Sequence, residues 1–324
     1  MSAASLGGTF PRVGIGVSAC LLGQKVRYDG GHKRDAFLIG PLAKFVDYLP
    51  VCPEAAIGLG IPRPPIQLVG DPGHPRAVGV RDSALDVTGR LEDFARQTVP
   101  QLQEISGYIL KKDSPSCGME RVKLYGPPGH APERKATGVF ARVIQESLPL
   151  LPLEEEGRLN DPVLRENFIN RVYAYRRWQQ LETDGLTRAG LIAFHTRHKY
   201  LVMAHSQAAY QRLGRLLSDL SREPMARIAH AYIHELMTAL KRRVTRKRHS
   251  NVLQHIMGYL KRSLDQGDKA ELLGTIEAYR REELPLIVPI TLLRHYFRRH
   301  PDPYMQGQYY LCPHPDALSL RNAL

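Results

Sequence analysis

The spacing of apolar residues changes near residue 150, so the two parts of this chain cannot share one kind of layer. Before that point, short apolar runs alternate with Gly/Pro-rich turns. Residues 12–18, 46–51 and 107–111 read as strands, residues 91–106 as a helix, and a further helix begins at Val139. Helical pattern between short buried strands predicts an α/β domain with a Rossmann-like parallel sheet over residues 1–150. Beyond it, Pro162 sits one step inside a helix started by Asn160 or Asp161. Val163, Phe168, Val172, Tyr175 and Trp178 follow at helical spacing. Further helical stretches over 188–206, 207–220, 224–243, 251–265, 269–281 and 287–298 predict an all-α domain over residues 151–324. Prolines followed by an acidic run make residues 148–157 the expected linker.

At 324 residues, the chain is long enough for two domains. It has no apolar run near the roughly 18 residues of a membrane helix. The N-terminus lacks a charged segment followed by an apolar block, so the expected compartment is the cytoplasm, with no membrane partner. The net charge is +13, and it is unevenly placed. Residues 1–150 carry 18 Lys+Arg against 14 Asp+Glu, whereas residues 151–324 carry 27 against 18. The second half therefore reads as a surface for a polyanion, nucleic acid first, set against a plain solvated basic surface.

Four cysteines in a chain of this size make no disulfide framework. Three of them, Cys20, Cys52 and Cys117, each follow a predicted strand. In a parallel sheet the ends that follow the strands share one edge, where open α/β sheets bind ligands. Three thiols distant in sequence can meet there, as ligands of a metal or cluster, as a catalytic thiol, or as small buried hydrophobes. Zinc sites usually show close Cys or His pairs, and the first half has no CxxC. Around the cysteines stand Glu54, a candidate general base; Ser114 and Ser116, candidates for positioning water or an anion; Asp29, a second acid/base or an ordinary Asp-Gly turn; and Arg63, framed by prolines and able to hold an anionic group.

The motifs SACLLG-x₃-RYDGG, VCPE with a following PRPP, and K-x-SPSCG resemble, in this order, the thiouracil desulfidase family over residues 12–147. The resemblance implies a [4Fe-4S] cluster bound by three cysteines, Cys20, Cys52 and Cys117. Its fourth iron is open to the sulfur of a thiocarbonyl base. It also implies an acid/base role for Glu54 and a functional serine, Ser114 first and Ser116 second. The segment FHTRHKYLVMAHS, residues 194–206, resembles the helical partner domain often joined to this catalytic domain. Two-domain proteins of this kind look like tRNA 4-thiouridine desulfidases, which return the base to uridine. The expected partner is then tRNA, with no protein partner implied.

Within the basic half, Lys241, Arg242, Arg243, Arg246, Lys247 and Arg248 form the densest run, joined by Arg197 and Lys199 as candidate phosphate contacts. Tyr173, Tyr175, Trp178 and Tyr200 suit either base stacking or, at helical spacing, a core; the core is the expectation. His195, His198 and His205 are expected to pack or hydrogen-bond rather than bind zinc, and Cys312 to be structural. Three rivals remain: a free-thiobase desulfidase whose helical domain serves assembly, a non-catalytic iron–sulfur regulator, and a sulfur-adding enzyme. The last usually needs ATP, and no GxxxxGK[ST] loop is present.

Overall fold

A computed structural model describes residues 10–126, 130–218, 220 and 222–323. The described residues form two compact units, one over Pro11–Asp161 and the other from Pro162 onward together with Phe10. The first unit carries β1 (Val13–Ser18), α1 (Ala36–Ile39), β2 (Val46–Val51), α2 (Pro53–Ala56), β3 (Ile66–Gly70) and β4 (Pro75–Gly79). These are followed by α3 (Thr88–Leu102), β5 (Gly107–Leu110), β6 (Val122–Tyr125), β7 (Glu133–Ala136), α4 (Val139–Ser147) and β8 (Leu153–Glu155).

Its first sheet has the order β2-β1-β5-β8 and is parallel throughout. The central strand β1 packs on both faces. On one face of β1, Val13, Ile15 and Val17 are buried. On the other, Gly14 and Gly16 leave room for side chains reaching across from neighbouring elements: a Cβ on Gly16 would lie 2.3 Å from the Tyr108 ring. The three predicted strands are thus present, together with a fourth. Residues 148–157, expected as a linker, contain β8, which pairs with β5 through Leu110 and Glu155. Its acidic residues misled the reading. Glu154, Glu155 and Glu156 are all buried, and each has partners: Glu154 accepts from Arg158 Nε at 2.6 Å, Glu155 from Met119 N at 2.8 Å, and Glu156 from Lys112 N at 2.7 Å.

A second, mixed sheet of order β4-β3-β6-β7 was not expected from sequence. Its strands are four or five residues long, and β7 begins Glu133-Arg134-Lys135, so turn and charge signals outweighed the strand pattern. Ile66, Leu68, Ala77, Val122 and Leu124 of this sheet form one core with Leu91 of α3 and Val139 of α4.

Among the described residues the second unit is helical: α5 (Pro162–Thr183), α6 (Arg188–His205), α7 (Gln207–Ser218), α8 (Met225–Leu240), α9 (Arg246–Met257), α10 (Gln266–Arg280), α11 (Ile287–Arg299) and α12 (Pro303–Gln306). Two boundaries differ from expectation because of capping. Thr245 accepts from Arg248 N at 3.4 Å and starts α9 five residues early, and Asp265 accepts from Asp268 N at 2.8 Å and starts α10. Trp178 is buried against Tyr232 and Phe194, and Tyr173 and Tyr200 are buried too, so these three aromatics are core as expected, while Tyr175 is half-buried. Asn167 donates to Leu240 O at 2.8 Å, satisfying a free carbonyl at the end of α8. No helix among the described residues is long and apolar enough to cross a membrane.

Burial holds His205 and His314 down at about 4, below the ordinary histidine value of 6.5. The unfolded chain therefore binds protons that the folded one does not between those values. Their contribution is fully present above pH 6.5 and is lost as pH falls through the window. The melting temperature followed by far-UV circular dichroism should drop steadily from pH 6.5 to pH 4. A flat profile across that range would contradict the burial of these two rings.

Candidate functional site

Three loops meet at the carboxyl edge of the parallel sheet. Cys20 lies in a single 3₁₀ turn, Ala19–Leu22, directly after β1. Cys52 caps α2 directly after β2, with Pro53 at the first helical position. Cys117 follows β5 in the loop Ser114–Gly118. All three line one cavity of about 730 Å³, a size usual for ligand sites. Among the described residues no three His, Cys, Asp or Glu side chains gather closely enough for a single metal ion. The thiols instead surround a space.

The Cys117 loop is held from several sides. Ser114 Oγ accepts from Cys117 N at 3.1 Å and Ser116 N at 3.3 Å, a serine turn. Val139 N and Ala141 N, unpaired within the first turn of α4, donate to Pro115 O and Ser116 O at 3.1 Å each. A Cβ on Gly138 would lie 2.6 Å from the Ser116 carbonyl, so only glycine permits this approach. From the strand read as linker, Glu155 grips Met119 N, two residues beyond Cys117.

Glu54 stands in the same cavity with both carboxylate oxygens engaged. Arg63 donates to Oε2 from Nη2 at 2.8 Å and from Nε at 3.0 Å. The remaining nitrogen, Nη1, donates to Val26 O and Gly60 O. Ser116 Oγ donates to Oε1 at 2.6 Å, and Ser114 Oγ lies 3.0 Å from Ser116 Oγ. The result is a chain of exchangeable protons, Ser114–Ser116–Glu54, anchored by a buried guanidinium. Arg63, expected as an anion holder, holds the anion of Glu54 itself.

Burial pushes the Cys20 thiol up to about 11, with the charge of Cys52 adding to it. Cys52 is raised by burial, and Cys117 by burial and then by Glu54. Three neutral thiols facing one space are a donor set that soft metal clusters satisfy by displacing the protons. Beneath them, Tyr108 is fully buried, and its hydroxyl finds no hydrogen-bond partner among the described residues. Burial, followed by the charges of Cys117, Cys52 and Cys20, raises it. The residues fit an iron–sulfur group.

Other expected residues fall elsewhere. Asp29 does not line the cavity. Its exposed carboxylate accepts from Gly31 N at 3.0 Å, the contact of an Asp-Gly turn, and pairs with Arg27 at 3.5 Å, which lowers its pKa. Cys312 belongs to the helical unit and does not line the cavity. His195 meets Tyr232 Oη at 3.0 Å, His198 meets Phe194 O at 2.8 Å, and His205 meets Arg242 O at 2.7 Å, which are packing roles. In the basic run, Arg246 donates to Tyr279 O and Leu284 O, and Arg248 to His205 O. The run is therefore partly structural. Lys241, Arg242, Arg243 and Lys247 are exposed. The sequence reading missed Glu156, which also lines the cavity and pairs with Lys111; its one signal was an acidic run placed just after an apolar stretch.

Residues 15–156 match the family model described as 2-thiouracil desulfurase, and residues 199–315 match one described as a protein of unknown function (DUF1722). A protein of Escherichia coli (strain K12), the uncharacterized protein YbgA, is 31% identical over 154 residues, which is 47% of this chain and 91% of YbgA. A solved structure, the [4Fe-4S]-dependent thiouracil desulfidase TudS, is 32% identical and aligns over 46% of this chain and 95% of its own, with a TM-score of 0.37.

The Arg63–Glu54 pair has side chains only 3% and 12% exposed. Arg63→Met would leave a carboxylate buried without its partner, and should cost about 3–5 kcal/mol in urea unfolding. Stability within about 1 kcal/mol of the parent would mean that the pair is not buried as described.

Proposed function

We propose that this chain, which belongs to the 2-thiouracil desulfurase family through residues 15–156, removes the sulfur of 4-thiouridine in tRNA and returns uridine. The observation that carries this reading is the meeting of Cys20, Cys52 and Cys117 with the Ser114–Ser116–Glu54 chain in one cavity. Cys20, Cys52 and Cys117 would hold a [4Fe-4S] cluster which, with three thiolates on four irons, supplies one open iron as a Lewis acid for a thione sulfur.

The protein's own groups do the proton work. Glu54 Oε1 takes a proton from the water that attacks the thiocarbonyl carbon, directly or across Ser116 and Ser114. Arg63 holds the other carboxylate oxygen and so fixes the direction in which Oε1 points. Glu54 then gives that proton to the departing sulfur as the carbon–sulfur bond breaks, and the proton left on the new hydroxyl passes to solvent, so that a carbonyl and hydrosulfide remain. The carbon gains the oxygen of one water and loses sulfur as sulfide, so no electron enters or leaves.

Charge favours a nucleotide over a free base. Six cations, Arg27, Lys33, Arg34, Arg63, Lys111 and Lys112, line the same cavity against four carboxylates, Asp35, Glu54, Asp113 and Glu156. Arg63 and Lys111 are paired with Glu54 and Glu156, and Arg27 with Asp29, so Lys33, Arg34 and Lys112 are the groups offered to a phosphate. The excess of Lys and Arg in residues 151–324 extends the preference to a polynucleotide.

Anaerobic incubation of the reconstituted protein with 4-thiouridine-containing tRNA, followed by nucleoside analysis, tests the reading. Loss of 4-thiouridine should be matched by uridine and sulfide, and Glu54→Gln should slow it by about 10²–10⁴-fold. Intact 4-thiouridine, or a Glu54→Gln rate equal to the parent's, would overturn it.

A further inference from the structure

The residues that grip RNA in the helical unit need not be those of the densest basic run. Two of that run's arginines brace helices, as Arg246 donates to Tyr279 O in the last turn of α10 and to Leu284 O beyond it, and Arg248 reaches His205 O on α6. A different surface combines rings with cations. Tyr259, in the single 3₁₀ turn Gly258–Leu260 after α9, is 43% exposed. It stacks on Tyr304 with ring centroids 5.6 Å apart and planes at 20°, and Tyr200 Oη donates to its hydroxyl at 3.3 Å. Lys199 Nζ sits 4.6 Å from the Tyr304 centroid.

The surface continues along the segment from α12 to Tyr309, which is tied to α6. Tyr309 N donates to Arg197 O at 2.9 Å, and Arg197 Nε to Gly307 O at 3.3 Å. The Tyr309 ring lies under two guanidiniums, with Arg177 at 3.7 Å and Arg197 at 4.3 Å. Lys199 meets the Tyr200 and Tyr304 rings, and Arg197 the Tyr309 ring and Gly307 O; neither forms an ion pair with a carboxylate among the described residues. One exposed ring, Tyr259, stands beside the half-buried Tyr304 and Tyr309 and near Lys199 and Arg197. An exposed ring beside cations suits an unpaired nucleotide: the ring takes the face of a base, and the cations take phosphates.

We propose that this strip is the RNA-gripping surface of the helical unit, and that Tyr259 stacks on an unpaired nucleobase of the substrate RNA. The proposal rests on the tRNA reading given above and assigns its contact. Lys261 and Arg262, both exposed just beyond Tyr259, lie where the adjoining phosphates would run.

Fluorescence anisotropy of the full-length protein with labelled bulk tRNA tests this. Tyr259→Ala should weaken binding about tenfold, the loss expected for one stacked base, while keeping the parent's melting temperature. Tyr259→Phe keeps the ring and should bind within about twofold of the parent. Lys247→Ala, in the basic run, should cost less than Tyr259→Ala. Parent-like binding by Tyr259→Ala overturns the proposal, as does a loss in Tyr259→Phe equal to that in Tyr259→Ala, or a larger loss from Lys247→Ala. A parent protein with no affinity for tRNA would instead overturn the tRNA reading itself, and this contact with it.

Discussion

Parallel pairing of β1 with β2 on one side and β5 on the other sets everything that happens at the site. Ser18 is in register with Val51, and Val17 with Ile109, so three strands end at nearly the same height. Each then releases a loop that carries a cysteine. An antiparallel neighbour would send its following loop to the opposite edge and leave one thiol far from the others. The pairing in turn depends on glycine in β1. Gly16 leaves the space that the Tyr108 ring fills from β5.

The edge alone gives proximity; the surrounding contacts give order. The Cys117 loop is fixed by donors from α4 and by a carboxylate from β8. Glu54 is fixed by a guanidinium that itself has every nitrogen engaged. Reacting groups held this way lose little freedom when a substrate arrives, which is how positioning lowers a barrier. Burial raises the three thiols and so keeps them protonated until a metal displaces the protons.

Much of this was legible in the sequence, for physical reasons. β1, β2 and β5 are short apolar runs bounded by turn residues, and the cysteines stand directly after them. The helices of the second unit show their period plainly. Three things were hidden. The second sheet uses strands with charged faces, such as Glu133-Arg134-Lys135, whose pairing depends on partners distant in sequence. The fourth parallel strand is written in glutamates, which normally mark solvent, and only buried partners reveal otherwise. The link from Arg63 to Glu54 spans nine residues and a sharp turn, so no periodic pattern could announce it. In the helical unit, charge density drew attention to residues 241–248, while the exposed Tyr259 carried no sequence signal to separate it from core tyrosines.

The central claim is that three thiols, and not the fourth cysteine, hold one cluster. The most direct measurement is iron and acid-labile sulfide per chain after anaerobic reconstitution. The account predicts one [4Fe-4S] cluster per chain in the parent and in Cys312→Ala, and its loss in each of Cys20→Ala, Cys52→Ala and Cys117→Ala. A full complement of iron in any of those three variants, or its loss in Cys312→Ala, would contradict it.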